Sequence, residues 1–70
     1  MLNIRLAANK DAFKLRDADL SKKDIKRIAC SNAKTRYPGE TKATRGLYKH
    51  HFYKILRYYE YQSWIDEIGV

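Results

Sequence analysis

The chain has 70 residues, with 15 Lys and Arg against 8 Asp and Glu and a net charge of +7. A chain this short is read as one domain, residues 1–70, and buries only about 60% of the surface its unfolded form exposes, which leaves little room for an enclosed enzymatic cleft. Its 44% hydrophobic content, with six Tyr, two Phe and one Trp, is too high for a disordered basic tail, and a single cysteine excludes an intramolecular disulfide or a multi-cysteine zinc centre.

In chain order, Leu2, Ile4 and Leu6 alternate, which suggests an extended arm or short strand over 2–7, with the beginning of a helix as the alternative. Arg5 and Lys10 interrupt any apolar leader, and no stretch approaches the ~20 apolar residues of a membrane span. The expected setting is cytoplasmic, without membrane contact. Residues 9–18 read as a first helix, capped by Asn9 and carrying Asp11 in its first turn.

A stronger start signal follows. Ser21-Lys22-Lys23-Asp24 is an S-x-x-D variant of the capping box, flanked by Leu20 and Ile25 at the positions of a hydrophobic staple, and it predicts a helix over 22–36. At about 100° per residue, Ile25, Ile28, Ala29 and Ala33 gather on one side and Lys23, Lys26, Arg27 and Lys34 on the other. Tyr37-Pro38-Gly39-Glu40 then reverses the chain, because Pro presets the first central turn position and Gly accepts positive φ at the second.

A third helix is predicted over 42–61, capped by Thr41 or Thr44. Leu47, Tyr48, His51, Phe52, Ile55, Tyr58 and Tyr59 form its packing side; Arg45, Lys49, His50, Tyr53, Lys54 and Arg57 form a cationic side. Trp64 and Ile68 fall out of phase with that packing side, and Ser63-Trp64-Ile65-Asp66 is a second S-x-x-D start. A break near Gln62 and a short fourth helix over 63–68 are therefore expected. The fold class is all-α, a small bundle of three to four helices.

The charges are segregated. Between Ser21 and Arg57 stand eleven of the fifteen basic residues against Asp24 and Glu40, whereas residues 58–70 carry no basic residue and three acids. Such a basic, aromatic-laced middle points to polyanion binding. The expected contacts to DNA or RNA are Lys23, Lys26, Arg27 and Lys34 from one helix and Arg45, Lys49, Lys54 and Arg57 from the next, with His50 and Tyr53 stacking or meeting base edges. Tyr61, Trp64, Ile65 and Ile68 are the candidate anchors for a protein partner or a second copy, or else they dock on the core.

Two resemblances bear on this expectation. Residues 20–29 loosely resemble the first helix of a helix-turn-helix motif, but the helical pattern runs on to Pro38, where that motif requires a tight turn. Arg45 and His50 fit the R-x4-H spacing of HEPN-type helical ribonucleases, a spacing that resembles an acid–base pair acting on phosphate. No carboxylate pair or Gly-rich phosphate loop accompanies it, and adjacent His50 and His51 point about 100° apart on a helix, so they do not chelate one ion. The expectation is a non-enzymatic nucleic-acid-binding module without metal or cofactor, monomeric or homodimeric. Its rival is a small inhibitor or regulator that occupies an acidic or nucleic-acid-binding surface of a larger protein.

Overall fold

The computed structural model describes residues 3–69, which form three helices: α1 (Ile4–Lys14), α2 (Lys22–Arg36) and α3 (Lys42–Glu67). α1 starts earlier than its apolar pattern implies. Asn3, rather than Asn9, is its cap, accepting the Leu6 amide at 2.9 Å on Oδ1. Residues 4–7 are therefore helical rather than extended, and Leu2 lies outside the described residues. The helix also stops short of residue 18, because after Lys14 the amides of Leu15, Arg16 and Ala18 turn to carbonyls three residues back.

α2 has the expected bounds. Ser21 Oγ accepts the Asp24 amide at 3.2 Å, and Pro38 ends the run at Tyr37. Gly39 has φ of 75°, the left-handed conformation that only glycine adopts without strain, and the chain reverses into α3. Thr41 is the α3 cap, its Oγ1 accepting the Thr44 amide at 3.3 Å.

α3 then continues through Gln62 and Ser63 to Glu67 without interruption, so the predicted fourth helix is the end of the third. An S-x-x-D sequence offers a cap only where the chain has already left the helix. Inside a formed helix with no Gly or Pro nearby, adding the next residue is easier than stopping and nucleating again.

The packing is centred on α3. Tyr48, Phe52 and Leu56 are buried in one cluster with Ala8 and Ala12 of α1, Ala29 and Ala33 of α2, and Tyr37. The alanines let helices approach closely while the α3 rings supply volume: Tyr48 lies 5.8 Å from Tyr37 edge-on and 6.0 Å from Phe52 stacked. The buried line is turned toward Tyr53 from the expected one. Leu56 is inside and Tyr53 packs against the core, whereas Leu47 and Tyr58 remain exposed.

α1 and α2 are tied by side chains instead of by close backbones. Arg36 donates from Nε and Nη2 to the two oxygens of Asp11 at 2.6 and 2.7 Å, and the Tyr48 hydroxyl donates to the same carboxylate. The guanidinium holds the Asp11 carboxyl below its ordinary range against the opposing effect of burial, with Tyr48 assisting. Burial, followed by the carboxylate, pushes the Tyr48 phenol up. One buried acid thus joins all three helices.

Candidate nucleic-acid interface

α2 runs back along α3. Its first residues, Leu20 to Lys26, stand beside Tyr53, Leu56, Arg57 and Glu60, while Tyr37 at its far end packs on Tyr48. Between the two helices lies an open groove of about 580 Å³, with Leu20, Ile25, Tyr53 and Leu56 as apolar lining and Lys22, Lys26 and Arg57 as cations. Glu60 is the carboxylate at its margin.

The groove follows from local sequence. Lys22 and Lys26 are one turn apart, as are Tyr53 and Arg57, so each helix contributes a row along its facing edge. Leu20 and Ile25, the staple pair, hold the entry to α2 against this space. The N-terminal end of α2 adds the partial positive charge of its free amides.

The cations are available. Among the described residues, Lys22, Lys26 and Arg57 form no ion pair, and the bridges are Arg16 with Asp17, Arg27 with Asp24 and Arg36 with Asp11. Tyr53 is half-buried, and burial pushes its phenol up, with Cys30 adding in the same direction. It stays a neutral ring at physiological pH.

The structure divides the cationic residues expected to act together. Lys26, Tyr53 and Arg57 meet in the α2–α3 groove, joined by Lys22. Lys54 instead lines a second groove of about 680 Å³ between α1 and α3, where Arg5, Asn9, His51 and Tyr58 are its neighbours. Lys23, Arg27 and Lys34 are exposed on α2, with Arg27 held at 3.5 Å by Asp24. Lys49 is half-buried, and His50 is exposed with its ring 5.6 Å from that of His51.

Arg45 is engaged elsewhere: its Nη2 donates to the Glu40 carbonyl at 2.8 Å, fastening the turn before α3. That bond occupies part of the guanidinium, and on a helix the five-residue step sets Arg45 and His50 about 140° apart. Among the described residues no cluster of three His, Cys, Asp or Glu side chains is positioned to share a metal ion. No described helix is long and apolar enough to cross a membrane.

Sequence reasoning passed over Lys22, although its spacing to Lys26 marks it as a member of the same row. It also missed the meeting of Asp11, Arg36 and Tyr48. Those residues are 25 and 37 positions apart, and no local pattern announces the contact. The acidic end of α3 does not fold across the bundle: Tyr61, Trp64 and Ile68 are more than half exposed, and Ile65 is half-buried. No family model matches the chain, and neither do the curated proteins or the solved structures with which it was compared.

Proposed function

We propose that the protein is a non-enzymatic nucleic-acid-binding module whose centre is the α2–α3 groove. The observation that carries this reading is the convergence of Lys22, Lys26 and Arg57, which form no ion pair among the described residues, around the half-buried ring of Tyr53. Phosphates of DNA or RNA would meet the three cations, and an unpaired base would lie against Tyr53 or the apolar lining beside it. Lys23 and Lys34 extend the positive field along the outer side of α2, while Lys49 and His50 flank it on α3. A cytoplasmic setting accords with the single free cysteine.

The test is a fluorescence-anisotropy titration with single-stranded RNA, single-stranded DNA and duplex DNA at about 50 and about 200 mM salt. Affinity is expected to fall steeply with salt for at least one of them. Lys26→Glu with Arg57→Glu should abolish that binding, whereas Lys54→Glu in the other groove should weaken it less. Failure of all three nucleic acids at the lower salt would end the proposal.

A second reading is favoured by the exposed Tyr61, Trp64 and Ile68. In that reading the protein is a regulator that docks on an acidic or nucleic-acid-binding surface of a larger protein, with aromatic side chains as anchors. It predicts negligible affinity for free nucleic acid and a stoichiometric protein complex that depends on Trp64.

A further inference from the structure

The last turns of α3 outrun α2. The first residues of α2 reach Tyr53, Leu56, Arg57 and Glu60, and on the other side Arg16 and Asp17 reach Gln62, Ser63 and Asp66. Neither approach covers Trp64 or Ile68, which are 56% and 52% exposed. Tyr61, 58% exposed, lies with its ring centroid 6.2 Å from that of Trp64.

The direction of these side chains matters more than their number. At 100° per residue, Tyr53, Arg57, Glu60, Trp64, Glu67 and Ile68 project within about 50° of one line along α3. A single face therefore begins at the cationic, apolar-lined groove and ends, about 22 Å further on, at an acidic aromatic tip. The groove offers Lys22, Lys26 and Arg57 around Leu20 and Ile25, and the tip offers Glu67 beside Trp64 and Ile68. One end of the face is the chemical complement of the other. Turned about a two-fold axis near its middle, such a face matches itself at both ends simultaneously.

We propose that this face is a homodimer interface in which two copies pack antiparallel, each laying its Trp64–Ile68 end into the α2–α3 groove of the other. A parallel pair would set basic groove on basic groove and acid on acid; the antiparallel pair satisfies both junctions. Trp64 and Ile68 gain an apolar lining, and Glu67 gains three cations that form no ion pair among the described residues and share their groove with a single carboxylate, Glu60. The inference does not rest on the nucleic-acid reading, because it needs only the groove and the tip, but both occupants use Lys22, Lys26 and Arg57, so dimer and nucleic acid would compete for the groove.

Sedimentation equilibrium of the full chain from about 1 µM to about 1 mM tests it. The wild type should pass from monomer to dimer, no larger species should follow, and added salt should favour the monomer. Trp64→Ala should weaken the dimer by at least about 30-fold, as expected for the loss of a central aromatic anchor. Two charge-reversed chains make the decisive arm. Glu67→Lys makes the tip basic, Lys22→Glu with Lys26→Glu makes the groove acidic, and each variant alone should be monomeric. Their equimolar mixture should form a heterodimer, since both junctions are again opposite in charge, and that recovery also shows both chains to be folded. A wild type that remains monomeric throughout, a dimer indifferent to Trp64→Ala, or a mixture that fails to pair would each overturn the proposal.

Discussion

The two halves of α3 differ in what surrounds them. From Tyr48 to Tyr59 the helix is clad by α1 and α2, and its pattern follows burial: Tyr48, Phe52 and Leu56 point inward and cations outward. From Tyr61 onward the same continuous helix is mostly bare, and large apolar side chains stand in solvent. Hydrophobic phase in a sequence records which surface is covered, and by what. It does not record where a helix ends.

That contrast is most sharply broken from the clad side. Phe52→Ala removes a fully buried ring that stacks on Tyr48 in the core cluster, and should cost about 3–5 kcal/mol. For a 70-residue chain, whose whole stability is expected to be about 4–10 kcal/mol, urea titration should find the variant largely or wholly unfolded. Asp11→Asn should cost about 2–3 kcal/mol. This is the lower end for a broken ion pair, because the Arg36 side chain keeps 35% of its surface in solvent and recovers part of its hydration.

Asp11 also sets a pH dependence whose sign is fixed. Its carboxyl is held below 3.8 in the fold, so its contribution is complete above that value and is lost as pH falls through the lower, folded one. Thermal melts of the wild type should fall in that acid window, and those of Asp11→Asn should stay flatter. The Tyr48 phenol is displaced upward from 10.0, so stability should decline above pH 10 as the unfolded chain ionises first. Tyr48→Phe should flatten the alkaline arm.

The bare half should give the smallest effect. Trp64→Ala, assayed at a concentration where the chain is monomeric, should change unfolding free energy by no more than about 0.5 kcal/mol. A large loss there would mean that the end of α3 supports the monomer after all, and the distinction between the halves would fail.

Much of α2 was legible because its boundaries are local chemistry. Ser21 and Asp24 start it, Pro38 and Gly39 end it, and each acts within four residues. α1 was misplaced because Asn3 and Asn9 are equally good caps in sequence, and the choice between them depends on what lies beside the helix. Here Asn9 Oδ1 instead accepts the Tyr59 hydroxyl at 2.8 Å, 50 residues away. The candidate site was half legible for a similar reason. Helical spacing pairs Lys22 with Lys26 and Tyr53 with Arg57, but it cannot show that the two rows meet, or that Lys54 turns to the opposite groove.

By itself the sequence determined the all-helical class, the cap of α2, the turn between α2 and α3 and the separation of a basic middle from an acidic end. These rest on backbone preferences and charges that act over a few residues. The tertiary structure decided which line of α3 is buried, that Asp11 joins Arg36 and Tyr48, and that the cations split between two grooves. Those outcomes depend on how three helices share one small core, where alanines on α1 and α2 admit the α3 rings from particular directions.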